Sequence, residues 1–202
     1  MTKLLIRLFV KNSEDVLNPA VRRSYGSLSG GVGIFCNLFL CIIKIAVGFL
    51  TASISITADG LNNLSDMGSS VITLIGFKMA GKPADKDHPF GHGRMEYMSA
   101  FIVAVLILLV GAELLKSSAS ALINGDKAPV YSGYALAVLA VSIAVKLWMY
   151  IFNRKLAKKA DSGVFRATAQ DSLNDMLSTG VILFSVAISM AVKLPFNLDA
   201  VM

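Results

Sequence analysis

Two segments of the sequence place acids and amides at the same helical spacing inside apolar stretches. They are residues 59–66 and 171–178, and each begins with Asp and carries side-chain oxygens three, four and seven residues later. Those positions share one face of an α-helix. Because a charged residue inside a membrane span costs roughly 2.5–3.5 kcal/mol, a chain that repeats the pattern is expected to use it. The simplest use is to hold a divalent cation between two helices.

The candidate ligands are three carboxylates and one amide oxygen: Asp59, Asn63, Asp171 and Asp175. Such hard oxygen donors suit Mn²⁺, Fe²⁺ or Mg²⁺, whereas Zn²⁺ sites more usually recruit imidazole or thiolate. Neither segment contains His. Clustered carboxylates take up protons when a bound ion leaves. The pattern therefore indicates metal–proton exchange.

Three neighbouring side chains leave their roles open. Asn62 and Asn174 point beside the predicted site, where they would serve as hydrogen-bonding glue between helices or as a second layer around the ligands. Asp66 could be an acid of that second layer, a step on the ion pathway, or a charge capped by Ser69 and Ser70.

A second constellation lies in the connection after the acidic segment 59–66 and contains both histidines of the chain. Asp85, His88 and His92 could bind a metal at a surface loop through imidazole and carboxylate ligands. The alternative is a hydrogen-bonded turn that meets phospholipid headgroups. The sequence favours neither.

Composition predicts the elements that position these residues. The chain is 55% hydrophobic and 16% charged, with a mean hydropathy of +0.66, which is too apolar for a soluble domain. We expect an all-α, polytopic membrane helix bundle with residues 1–26 as an amphipathic N-terminal surface segment and 27–202 as the transmembrane domain. Its five spans are predicted at about 30–51, 53–79, 98–118, 131–152 and 170–192.

Basic residues predict the orientation. Fourteen Lys and Arg flank the N-terminus and the even-numbered connections, against three on the other side, which places the N-terminus in the cytoplasm. The net charge of +6 then follows from topology and does not indicate nucleic-acid binding. Lys44 and Glu113 lie in the outer halves of their spans, where they could pair with each other or snorkel to the interface.

The two acidic segments are offset by 112 residues and fall on spans of opposite direction. This pattern suggests an inverted repeat of three spans plus three, a common transporter plan with the site at the repeat interface. The alternative is a coincidence between two short polar stretches. The repeat would place a sixth span near residues 210–230, whereas the sequence ends at Met202, so we expect a closing helix to be missing.

Residues 58–66, 88–96 and 171–175 resemble the cation diffusion facilitators. The resemblance implies a six-span, usually homodimeric, proton-coupled exporter of divalent metals with a cytoplasmic C-terminal metal-binding domain. It implies a multi-pass protein of the cell membrane, here a bacterial plasma membrane. It also implies that Asp59, Asn63, Asp171 and Asp175 form the transport site, and that Asp85, His88 and His92 correspond to a loop site of zinc-transporting relatives.

Two positions separate this chain from zinc-type members of that family, which have His at the position of Asp171 and Asp at that of Asn63. The sequence is instead similar to the manganese-exporting branch. Export of Zn²⁺ or Fe²⁺ is the alternative within the family.

Two other classes of protein compete with a transporter. A membrane enzyme such as a lipid-headgroup phosphotransferase would cluster its acids on adjoining cytoplasmic segments, whereas here they lie within spans and far apart in sequence. We therefore expect no enzyme. A non-transporting, metal-binding scaffold or sensor is the second alternative, and flux in a pH gradient would distinguish it.

Overall fold

The computed structural model describes residues 2–10, 12–16, 18–80, 89, 94–124, 129, 131, 133–161, 163–191 and 199. These ranges contain six helices: α1 (Thr2–Phe9), α2 (Pro19–Thr51), α3 (Ile54–Ala80), α4 (Arg94–Asn124), α5 (Gly133–Ala160) and α6 (Gly163–Ala191). The described residues include no strand. The predicted all-α fold is confirmed, and a long helix covers most of each predicted span.

Several helices extend beyond the apolar stretches. α2 begins at Pro19, well before its predicted span, because Asn18 and Pro19 form a favourable helix start. α5 continues to Ala160 through its basic last turn, where Lys158 and Lys159 complement the negative end of the helix dipole. By length and composition, three helical stretches of the described residues could cross a membrane: Ser24–Thr51, Gly133–Ala160 and Gly163–Ala191.

The chain forms two compact units, and the first comprises Met1–Cys36 and Val130–Lys193. Its core is apolar, with Tyr25, Phe152 and Leu156 fully buried. Ile6 of α1 and Val10, directly after α1, are buried in this core. A polar contact joins α2 to α5, since the Ser29 hydroxyl donates to Asn153 Oδ1 at 2.7 Å. α5 and α6 pack along each other and present the second acidic segment.

The second unit comprises Asn37–Pro129 and Leu194–Met202. Here α2 ends at Thr51 and reverses into α3 through Ala52, whose φ is 53°, and Ser53. The two helices approach closely at Gly48, which has no side chain. A Cβ at this position would lie only 2.9 Å from the Thr57 nitrogen. α3 carries the first acidic segment and packs against α4.

Candidate metal transport site

Each compact unit carries two of the four predicted ligands. Asp59 and Asn63 lie one turn apart on α3, and Asp171 and Asp175 lie one turn apart on α6. Below, the α3 half-site means Asp59 and Asn63, and the α6 half-site means Asp171 and Asp175.

The α3 half-site is buried. Asp59 is 6% exposed and Asn63 is fully buried. The Asp59 Oδ2 atom lies 2.8 Å from the Nζ atom of Lys44 on α2. A close helix contact makes this pair possible, since a Cβ on Gly60 would lie 3.2 Å from the Lys44 Cβ and 3.1 Å from the Ile45 nitrogen.

The amide of Asn63 has a defined orientation. Its Nδ2 donates to the main-chain carbonyl of Asp59 at 2.7 Å, and since a carbonyl only accepts, the nitrogen must face it. The amide oxygen therefore faces away. Among the residues that the structure describes, Asn63 Oδ1 is the one buried side-chain nitrogen or oxygen without a hydrogen-bond partner. An unpaired buried acceptor costs about 1–3 kcal/mol, a cost that a cation bound there would remove.

The start of α3 is fixed by polar contacts. The Ser53 hydroxyl accepts from the Ile56 nitrogen at 3.2 Å, which makes Ser53 the N-cap. The buried Asp199 carboxylate accepts from the Ile54 nitrogen at 2.6 Å and from the Ser53 hydroxyl at 2.5 Å. A carboxylate at this position complements the positive end of the helix dipole. These contacts fix the end of α3 from which Asp59 projects.

The α6 half-site combines one buried and one exposed acid. Asp175 is 8% exposed and forms an ion pair with Lys146 of α5, which is 1% exposed. Asp171 is exposed. A carboxylate oxygen of Asp171 lies within 4.8 Å of one of Asp175, so this half-site can present two carboxylates to one ion.

The neighbouring predicted residues fall into different environments. Asn62 and Asn174 are both exposed. Asn174 Oδ1 accepts from Gln170 of the same helix at 3.1 Å, so this contact lies within α6 and does not join two helices. Asp66 is half-buried on α3, and the Ser70 hydroxyl donates to its main-chain carbonyl at 2.9 Å. That hydroxyl therefore does not cap the Asp66 carboxylate.

Two further sequence predictions can be placed. Glu113 is exposed and lies 3.8 Å from Lys116 on its own helix, so of the two alternatives the pairing of Glu113 with Lys44 is wrong. Lys44 instead contacts the nearer acid, Asp59, across the close α2–α3 approach. The predicted loop site, Asp85, His88 and His92, lies outside the described residues.

Sequence reasoning missed the two lysines as partners of the predicted ligands. For Lys44 the sequence offered only a pairing with Glu113 or a position at the interface, and it offered no role for Lys146. The signal was present, because each is an isolated lysine inside an apolar stretch. Such residues almost always pair with another group within the protein.

Comparison with known proteins identifies the chain. A model of the cation efflux transmembrane domain matches residues 32–202. The chain belongs to the cation efflux family. This cation efflux domain is 36% identical over 157 residues to the manganese efflux system protein MneS of Bacillus subtilis, covering 77% of the chain and 54% of MneS.

Two further Bacillus subtilis proteins give similar matches. The domain is 34% identical to the uncharacterized transporter YdbO, covering 82% of the chain and 56% of YdbO. It is 30% identical to the manganese efflux system protein MneP, covering 73% of the chain and 49% of MneP. The chain thus spans about half the length of these relatives. The predicted family and the multi-pass membrane class are confirmed.

Proposed function

We propose that this chain is the membrane domain of a divalent cation efflux transporter whose transport site comprises Asp59, Asn63, Asp171 and Asp175. The observation that carries the proposal is the buried Asn63 amide oxygen, which lacks a hydrogen-bond partner among the described residues. It lies one helical turn from a buried carboxylate. A carboxylate and an amide oxygen on one helical face form half of an oxygen cage.

Manganese is the proposed substrate. Three carboxylates and one amide oxygen are hard donors, which suit Mn²⁺ better than the softer ligands that Zn²⁺ sites usually recruit. The names of MneS and MneP record manganese efflux for relatives at 36% and 30% identity. Zn²⁺ or Fe²⁺ is the alternative substrate.

The proposed cycle is alternating access in the cell membrane, taken here to be a bacterial plasma membrane. The cation enters from the cytoplasm, the helices rock, and protons arriving at the carboxylates from the opposite side release it. We further propose that the intact transporter is a homodimer.

Removal of one carboxylate tests the transport site. In the intact protein reconstituted into liposomes, Asp175→Ala should abolish Mn²⁺ flux driven by a pH gradient while expression persists. Glu113→Ala is the matched control, since Glu113 is an exposed acid on α4, and this variant should transport like the wild type. Undiminished flux in Asp175→Ala would show that the proposed transport site does not carry the ion.

Substrate choice is tested at the exposed acid of the α6 half-site. Asp171→His replaces a hard oxygen donor with imidazole, so the ratio of Mn²⁺ to Zn²⁺ flux should fall. Competition between the two ions in the same liposomes measures that ratio directly. An unchanged ratio would contradict the argument from ligand hardness.

A further inference from the structure

Two lysines contact the buried carboxylates of the proposed site. Lys44 is fully buried and its Nζ lies 2.8 Å from Asp59 Oδ2. Lys146 is 1% exposed and forms an ion pair with Asp175. Each pair joins the helix that carries the acid to the helix before it in sequence. Neither lysine has a role in the transport cycle described above.

We propose that Lys44 and Lys146 are internal competitors of the transported cation. Each ammonium holds a ligand carboxylate in the metal-free protein and leaves it when the divalent ion binds. This inference rests on the proposed function, because it assigns a role to the lysines only if Asp59 and Asp175 are metal ligands.

Electrostatics explains why the ammonium and the metal ion exclude each other. An ammonium within hydrogen-bonding distance of a carboxylate already neutralises that charge. A divalent ion on the same carboxylate would lie within a few ångströms of the ammonium, and like charges repel strongly where water is excluded. The carboxylate can therefore satisfy one of the two cations at a time.

The formal charges of the three carboxylates and two lysines support an exchange of partners. The three carboxylates contribute −3 and the two lysines +2, so the set carries −1 without the metal and +1 with Mn²⁺ bound. Without the lysines the empty carboxylates would carry −3, which is costly inside a membrane. Internal ammonium groups thus keep the empty site close to neutral.

A purely structural pair makes the opposite prediction for metal affinity. If Lys44 only positions Asp59, its removal disorders a ligand and weakens Mn²⁺ binding. If Lys44 competes with Mn²⁺, its removal frees a ligand and strengthens binding. The sign of the change in dissociation constant therefore separates the two roles.

Titration calorimetry with Mn²⁺ on the detergent-solubilised intact protein measures that sign. If each carboxylate is released from its lysine about one tenth of the time, Lys44→Met and Lys146→Met should each lower the apparent Kd about tenfold. Met keeps the apolar stem without the charge. Lys116→Met, on the exposed face of α4, is the matched control and should bind Mn²⁺ like the wild type. Unchanged or weaker Mn²⁺ binding in both Met variants would overturn the inference.

Labelling of wild-type lysines tests the same inference in a protein with no substitution. A small amine-reactive reagent followed by mass spectrometry should modify Lys44 and Lys146 several-fold faster when Mn²⁺ is present. Lys116 should react equally in both conditions. Equal labelling of Lys44 and Lys146 with and without Mn²⁺ would count against displacement even if the Met variants do not fold.

The two proposals fail in distinguishable ways. If the wild-type protein binds no divalent cation, the proposed function is wrong and the inference falls with it. If the wild type binds Mn²⁺ and loses it on Asp175→Ala, but the lysine variants bind no tighter, only the competition is wrong.

Discussion

The α3 and α6 half-sites share a motif but pair different positions of it with lysine. In the sequence repeat, Asp59 corresponds to Asp171 and Asn63 to Asp175. Lys44 contacts the first position of the α3 motif, whereas Lys146 contacts the second position of the α6 motif. The repeat of the acids therefore does not extend to their counter-ions.

Burial accounts for this difference. Within the two half-sites, Asp59 and Asp175 are the buried acids, at 6% and 8% exposure, and each pairs with a lysine, whereas Asp171 is exposed. A buried charge needs a partner, because desolvation without compensation is very costly. The comparison teaches that helix packing, rather than position in the motif, decides which carboxylate carries the ammonium.

Removing either lysine should give the largest loss of stability. Breaking a buried ion pair leaves an uncompensated charge, so Lys44→Met and Lys146→Met should each lower the free energy of unfolding by about 3–5 kcal/mol. Unfolding of the metal-free protein in mixed micelles, titrated with denaturing detergent, measures the loss. If only one variant is destabilised, the buried ion pair stabilises one half-site and not the other.

The exposed pair on α4 provides the control for that experiment. Lys116 and Glu113 are 78% and 70% exposed, so Lys116→Met should change the free energy of unfolding by less than about 1 kcal/mol. A loss similar to that of the buried lysines would show that charge number, and not burial, governs the effect.

Glycine-to-alanine substitutions on α3 and α6 should change the free energy of unfolding in opposite directions. A Cβ on Gly60 would lie 2.9 Å from Ile45 Cγ1 and 3.1 Å from the Ile45 nitrogen, and the nitrogen cannot easily move. Gly60→Ala should therefore cost about 1–3 kcal/mol and disturb the Lys44–Asp59 pair. On α6, Gly180 has nothing within 4 Å of such a Cβ, so Gly180→Ala should gain about 0.5–1 kcal/mol from helix propensity.

The same unfolding titration measures both glycine variants. A stabilised Gly60→Ala protein would contradict the close α2–α3 approach. A destabilised Gly180→Ala protein would indicate that this face of α6 meets another surface in the intact protein.

The sequence was sufficient to predict the long helices and the residues that share a helical face in each acidic segment. Hydropathy marks long apolar helices directly, and an i, i+4 spacing places Asp59 above Asn63 whatever the packing. The pairing of Lys44 with Asp59 could not be predicted, because it depends on the distance between two helices, which the contacts at Gly48 and Gly60 determine.

The burial of the individual acids could not be predicted from the sequence either. Asp59 and Asp171 occupy equivalent positions in the repeat, yet one is buried and the other exposed. Exposure depends on the neighbouring helices, which differ between the two units. The orphaned oxygen of Asn63 is a similar case, because only the orientation of its amide towards the Asp59 carbonyl reveals it.

Substitutions at the starts of α3 and α6 should give the smallest difference in stability between the two half-sites. Asp199 is buried and accepts hydrogen bonds at the first turn of α3, including one of 2.6 Å from the Ile54 nitrogen. Before α6, Asp161 pairs with Arg166 at 2.6 Å, but these side chains are 89% and 69% exposed. The α3 start therefore depends on a buried cap, and the α6 start on an exposed pair.

Asp199→Ala should cost about 1–2 kcal/mol, as expected for loss of a helix cap. Asp161→Asn should cost less than about 1 kcal/mol, since water screens the exposed pair and Asn tolerates the φ of 41° at this position. Because Asp199 fixes the end of α3 from which Asp59 projects, Asp199→Ala should also weaken Mn²⁺ binding, measured by calorimetry, while Asp161→Asn leaves it unchanged. Equal Mn²⁺ affinities in the two variants would mean that the α3 half-site is positioned by the Gly48 and Gly60 contacts alone.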